Sequence, residues 1–157
     1  MAKRSELRYT YSEDAEDARR YGVVMHRLFE RIVVADDVDS AIEQLEREGE
    51  DTAGLRSEVE AILAIEGVAE LFDSKWKVMN EAEIFDGNGR AYRPDRVMID
   101  EATNEVVVVD YKFGEYNEEL HQRYSRQVGR YVRLIGDMGY AARGYLLYAK
   151  ERKLIKI

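Results

Sequence analysis

Four valines in a row, Val106 to Val109, running into Asp110-Tyr111-Lys112, constrain the fold more than any other stretch of the chain. A strand with one wet face alternates apolar with polar residues. An unbroken apolar run has to cover both faces, so Val106 to Phe113 reads as a central strand. Side chains alternate along it, which puts Val106, Val108, Asp110 and Lys112 on one face. A carboxylate and an ammonium group therefore leave the end of a buried strand together.

The elements around this strand follow from periodicity. Ala15 to Val34 reads as a helix, with Tyr21, Met25, Leu28, Phe29 and Ile32 forming one apolar stripe. Val38 to Glu48 reads as a second helix, closed by Gly49. A third begins near Leu55 with Leu55, Val59, Ile62 and Leu63 on one side, and a short helical turn follows Gly67. The period then changes to two. Lys77 to Phe85 reads as a strand, Asp86-Gly87-Asn88-Gly89 as a tight turn, and Tyr92 to Ile99 as the next strand. Asp100 to Asn104 is turn-like and leads into the valine strand. A long helix is expected over Glu118 to Met138, with final strands near Gly144 to Ala149 and Lys153 to Ile157. Residues 1–14 show no usable periodicity and read as a linker or an ordered arm. Residues 15–157 read as a single α/β (α+β) domain on one mixed sheet: N-terminal helices, a three-strand meander, a long helix and two last strands.

The chemistry concentrates in Arg93-Pro94-Asp95 and, after 14 intervening residues, Asp110-Tyr111-Lys112. In an antiparallel meander the start of one strand lies beside the end of the next, so Asp95 and Asp110 come close enough to share a cation. Two neighbouring carboxylates repel unless a divalent ion neutralises them. Oxygen-rich sites of this kind suit magnesium or manganese, which can polarise a phosphodiester oxygen and acidify water. A lysine beside them can orient or deprotonate that water, or offset developing negative charge. An Asp-x-Lys at a strand end is by itself commonplace on a solvated edge; the preceding Pro-Asp strand makes the pattern specific.

Other residues flank this pair. His26, in Gly22-Val23-Val24-Met25-His26, stands at the border of the first helix's apolar stripe, where it can point into a cleft, although a lone helical histidine is often structural. His121 reads as exposed. Gln127 and Tyr131 lie four apart on the long helix, with Tyr124 on the same face, a pattern that also fits helix-to-sheet packing. Asn80-Glu81 opens the strand leading to the glycine turn.

Together, Pro94-Asp95 and Asp110-Tyr111-Lys112 resemble the PD-(D/E)xK nuclease motif. The wider order Gly-x-x-x-His, Glu, Pro-Asp, Asp-Tyr-Lys and Gln-x-x-x-Tyr is similar to the nuclease domain of RecB- and AddA-type helicase–nucleases, as found at the C-terminus of bacterial UvrD-like helicases. The similarity runs from about Tyr21 to the last strand. It implies a restriction-endonuclease-like core with His26, Asp95 and Asp110 as metal ligands, the Tyr111 carbonyl assisting, and Glu81 as a further ligand that Glu83 rivals. It implies Lys112 as the catalytic lysine acting with Asp95 and Asp110, and Gln127 and Tyr131 as supporting residues. The first aspartate stands in Arg-Pro-Asp-Arg-Val, where many relatives have a glycine-led Gly-x-Ile-Asp. Magnesium or manganese would be the cofactor.

Composition sets the limits. The absence of cysteine excludes disulfides, thiol catalysis and an iron–sulfur cluster. With no apolar leader or spanning run, a soluble, cytoplasmic protein without a membrane partner is expected. The net charge of −8 is unusual for a self-sufficient DNA binder. Against that, Arg123, Arg126, Arg130 and Arg133 recur as one ridge on the long helix, which reads either as a DNA-binding strip or as a solvated face. No Walker motif is present, so the chain is not a motor. A metal-dependent deoxyribonuclease is expected, exonucleolytic on single strands or ends delivered by a helicase fused upstream or acting in trans. The alternatives are a stand-alone restriction-type or phage-type nuclease, and a non-catalytic DNA-binding module.

Overall fold

A computed structural model describes residues 2–79 and 82–157, with side chains from residue 15 onward. Among the described residues, five α-helices, one 3-10 turn and seven strands form a mixed α/β domain. The N-terminal layer holds α1 (Ala2–Glu30), α2 (Val38–Arg47), α3 (Leu55–Leu63) and the single turn α4 (Val68–Leu71). Helix α1 begins well ahead of Ala15, where the apolar stripe starts, and takes in the segment that reads from sequence as a linker or arm. It ends four residues earlier than the stripe suggests, at Glu30 rather than Val34. Gly49, at φ +87°, follows the end of α2 in a left-handed conformation that a side chain would strain.

The sheet has the order β1 (Lys77–Met79), β4 (Arg96–Asp100), β5 (Glu105–Lys112), β6 (Ala141–Tyr148) and β7 (Lys153–Lys156). β4 pairs antiparallel with both β1 and β5, with Arg96 opposite Val109 and Asp100 opposite Glu105. β5 and β6 are parallel, joined by helix α5 (Glu118–Asp137), and β7 returns antiparallel on the outer edge. α5 starts where the sequence places it, because the Asn117 side chain accepts a hydrogen bond from the Leu120 N–H and acidic residues fill its first turn.

The meander departs from the sequence reading in one respect. The two strands expected at Lys77 to Phe85 and Tyr92 to Ile99 are each divided. Their inner halves form a separate two-stranded hairpin, β2 (Ile84–Phe85) with β3 (Ala91–Tyr92), and only their outer halves join the main sheet. Pro94, the chain's single proline, lacks the N–H a ladder requires, so pairing stops between β3 and β4. β6 is longer than expected, starting at Ala141.

β5 divides the core into two layers. Val107, Val109, Tyr111 and Phe113 pack against α1 to α4, while Val106 and Val108 pack against Val128, Tyr131 and Ile135 of α5. All four valines are buried, as a central strand demands. Gly144 on β6 allows α5 to lie close: a Cβ there would stand 2.5 Å from a Val128 methyl and 2.9 Å from one of Val132. Among the described residues the most deeply buried charged side chain is that of Arg96. Arg96 is 1% exposed and donates to the carbonyls of Ile32 (2.7 Å), Val33 (2.6 Å) and Leu71 (3.1 Å), with its guanidinium over the Phe72 ring. It satisfies backbone oxygens just past the end of α1 and at the last residue of α4. Among the described residues no helix is long and apolar enough to cross a membrane.

Candidate functional site

The alternation of β5 decides which face carries the chemistry. Asp110 and Lys112 share the α5 face with Val106 and Val108, as expected. Asp95 lies just before β4, beside the end of β5, so the antiparallel pairing brings the two aspartates together. They are joined through backbone: Asp95 N–H donates to Asp110 Oδ1 at 3.0 Å, and Tyr111 N–H donates to Asp95 Oδ2 at 2.8 Å. Each carboxylate therefore clasps the neighbouring strand where the ladder ends.

His26 comes from α1, which packs on the opposite face of the sheet. It nevertheless reaches Asp95, because Asp95 stands at the strand end, where the sheet no longer separates the two layers. Nε2 of His26 is 3.3 Å from Asp95 Oδ2. Nδ1 lies 2.9 Å from the Gly22 carbonyl and Nε2 faces the Asp95 carboxylate; both partners can only accept, so the ring as it stands carries a proton on each nitrogen, and Nε2 has to shed one before it can hold a metal. This is how a metal-ligating imidazole is oriented by a backbone partner. The ring also meets Phe113 edge-on, at 4.9 Å between centroids.

The electrostatics follow from this packing. Asp110 is 5% exposed, and burial, followed by the charge of Asp95, lifts its carboxyl from 3.8 to about 6. The hydrogen bond with Asp95 raises His26 above its ordinary value, against the opposing effect of burial. Lys112 Nζ rests 3.8 Å from the centroid of the Tyr124 ring, a cation–π contact that ties the ammonium to α5. Tyr131 is buried behind the carboxylates. Burial, then the charges of Asp110 and Asp95, push its hydroxyl pKa upward, opposed by a hydrogen bond from the exposed Gln127. Beside the site a cavity of about 550 Å³ is lined by His26, Lys112, Tyr124, Gly22, Val23 and Tyr148, among others. The two aspartates are not part of its lining. Tyr148 was not singled out in the sequence; its place opposite Lys112 in the β5–β6 register is the only signal, and it requires the strand pairing.

The donor set, two carboxylates and an oriented imidazole, fits a divalent cation in its chemistry. Asp95 Oδ1 and Asp110 Oδ2 receive no hydrogen bond among the described residues, so each aspartate keeps one oxygen for a ligand. The convergence is incomplete, however: among the described residues no group of three or more His, Asp or Glu side chains is disposed to hold a metal ion. Asp95 Oδ2 is already occupied by the Tyr111 N–H and His26, which draws those groups into a chain and not around a common centre. Asn80 and Glu81, the latter expected as a further ligand, lie outside the described residues; Glu83 is exposed and paired with Arg93 at 2.8 Å.

The remaining expected residues divide by exposure. Arg123, Arg126, Arg130 and Arg133 are all exposed on α5, and only Arg130 is engaged by a described residue, through Tyr92. His121, which reads as exposed, is half-buried instead. Its Nδ1 lies 2.8 Å from the Tyr148 hydroxyl and its ring packs on Tyr116, because the helix start folds it over the end of β6. A scan of the sequence against protein-family models finds no match, and a search of curated proteins finds none either.

Proposed function

We propose that the chain is a divalent-metal-dependent deoxyribonuclease domain with a restriction-endonuclease-like PD-(D/E)xK core. It would hydrolyse phosphodiester bonds exonucleolytically, in single strands or ends delivered by a fused or partner helicase, in repair or recombination. The observation that supports this most is the pairing of Asp95 with Asp110 at the end of β5, with Lys112 two residues on and His26 3.3 Å from Asp95. Asp95, Asp110, the Tyr111 carbonyl and His26 Nε2 would hold magnesium or manganese. When bound, the ion supplies Lewis acidity toward a phosphodiester oxygen and toward water.

The chain's own residues do the rest. Lys112, set against the Tyr124 ring at the cavity edge, presents a cation where negative charge develops on the phosphoryl oxygens. The Gly22 carbonyl keeps Nε2 of His26 aimed at Asp95. Gln127 and Tyr131 back Asp110 from α5, and the exposed arginines of that helix offer bidentate donors to a phosphate backbone. An acidic body with a local basic ridge suits a module that receives its strand from a neighbour.

The test is degradation of labelled single-stranded DNA by the pure chain in magnesium or manganese, with Asp110→Ala and Lys112→Ala. Each variant is expected to lose activity by about 100-fold or more. Manganese titration calorimetry accompanies it, so that a chain needing a helicase to present DNA still reports on the metal. Activity surviving both substitutions ends the catalytic assignment. A second reading, a DNA-binding module without hydrolysis, draws on the incomplete convergence of the three donors; it predicts DNA binding with no manganese uptake.

A further inference from the structure

The β2–β3 hairpin has no counterpart in the chemistry described so far, and the way it is held is informative. Asp86 organises it. One carboxylate oxygen accepts from the backbone N–H groups of Asn88 (2.9 Å) and Arg90 (3.0 Å), and the other accepts from the Tyr92 hydroxyl at 3.2 Å. That hydroxyl in turn accepts from an Arg130 N–H at 3.1 Å, and the Arg130 guanidinium lies over the Tyr92 ring. Tyr92 also packs edge-on against Tyr131, at 6.1 Å between centroids. The hairpin is thereby fastened to α5 through side chains that lead back to the carboxylate pair.

Between hairpin and helix lies an open cleft of about 430 Å³, lined by Arg90, Arg130, Arg133, Tyr92, Asp86 and Asp137. Its three guanidinium groups exceed its two carboxylates by one charge, and the hydrogen bond from the Arg90 N–H, with the Arg90 charge among the lesser influences, holds the Asp86 carboxyl below its ordinary value. Asp86 is committed to the turn, and among the described residues neither Arg90 nor Arg133 stands within ion-pair distance of a carboxylate. Two forks with free donors and a third held on a tyrosine face form a receptor for a tetrahedral, doubly accepting anion.

We infer that this cleft grips a backbone phosphate of a nucleic-acid strand, a second anchoring point beyond the candidate metal site. The inference rests on the nucleic-acid reading of that site and adds a position to it. α5 rises about 1.5 Å per residue, so Arg130 and Arg133 lie about 9 to 14 Å along the helix from Tyr124, which holds Lys112. A stacked strand advances about 3.4 Å per nucleotide. A strand that leaves the aspartates along α5 thus presents about its third or fourth phosphate to the cleft. A ligand shorter than that cannot occupy both points.

The experiment measures fluorescence anisotropy of a labelled single-stranded dodecamer across a salt series, in chelator so that hydrolysis plays no part. With Arg90→Ala/Arg133→Ala, the slope of log affinity against log salt is expected to fall by about 0.7, the contribution of one phosphate contact to a single strand. Arg90→Lys/Arg133→Lys should restore most of the slope. Binding of a dinucleotide should be the same in all three proteins. Asp137→Asn, which removes a carboxylate from the same cleft, should tighten the dodecamer. An unchanged slope in the double alanine variant, or no tightening with Asp137→Asn, overturns the inference. Inorganic phosphate binding the wild type as tightly as the dodecamer does would make the cleft a free-anion site, and overturns it as well. Because no cleavage is read, a slope loss without metal-dependent hydrolysis sinks only the nuclease reading, and hydrolysis with an unchanged slope sinks only the cleft.

Discussion

Two features of the folded chain press Asp110 in the same direction: it is buried, and it stands beside another carboxylate. Burial lifts it to about 6 against an ordinary 3.8. Between those pH values the folded state holds a proton that the unfolded state has released, so its contribution to metal-free stability falls as pH rises from about 4 to about 6. Asp110→Asn keeps the oxygen that accepts the Asp95 N–H and removes the charge. In chelator, the variant should exceed the wild type in stability by up to about 3 kcal/mol at pH 7. That margin should vanish below pH 4, as read by urea denaturation. Manganese should stabilise the wild type alone; a margin independent of pH would show that Asp110 titrates normally. At this scale the sequence was partly legible. Asp95, Asp110 and Lys112 are identifiable from spacing, because strand alternation alone determines which side chains share a face. Arg96 was not: its partners are carbonyls of Ile32, Val33 and Leu71, far along the chain, and nothing in its neighbours indicates that a guanidinium will be buried there.

Elements are where periodicity is strongest and boundaries weakest. The valine run reads correctly as a strand buried on both faces, and the α5 start is visible in Asn117 and the acids that follow. The inserted hairpin was hidden, because a strand interrupted by Pro94 has the same alternation as an unbroken one. The start of α1 was hidden as well, since residues 2 to 14 form helix backbone without an apolar stripe to announce it. One element contact permits a direct test. α5 crosses β6 at Gly144, where an added methyl would stand 2.5 Å from Val128 and 2.9 Å from Val132. Gly144→Ala should therefore destabilise by about 1–3 kcal/mol through overpacking, instead of stabilising as a strand residue freed of glycine otherwise would. Thermal unfolding of the variant measures it, and an unchanged midpoint would mean that the helix rides up without cost.

For the whole molecule the question is how a chain of net charge −8 could hold DNA. The acids cluster on the N-terminal helices, where many are tied up in ion pairs, such as Glu48 and Glu50 with Arg27 and Glu58 with Arg152. The exposed arginines of α5 stand on the other side of the sheet, where among the described residues they make no such pairs and only Arg130 is engaged, by Tyr92. Arg123→Ala/Arg126→Ala should weaken binding of single-stranded DNA and lower its salt slope by about 1.4, whatever the sequence of the strand. A slope equal to that of the wild type would return the ridge to a merely solvated face. The layered α/β arrangement was legible at this scale; the gathering of His26 with the aspartates from opposite layers was reached only through the family resemblance, because periodicity does not say where the sheet stops.

That meeting place has a mechanical side. Arg96 directly follows Asp95, and its guanidinium grips oxygens a few residues past His26's helix. Imidazole and carboxylate are thus tied to one buried guanidinium, and a tilt of the first helix would strain the hydrogen bonds that join it to the fourth strand. On the proposed nucleic-acid reading, a strand would enter by the side bordered by Tyr124 and the arginine helix, away from that seam.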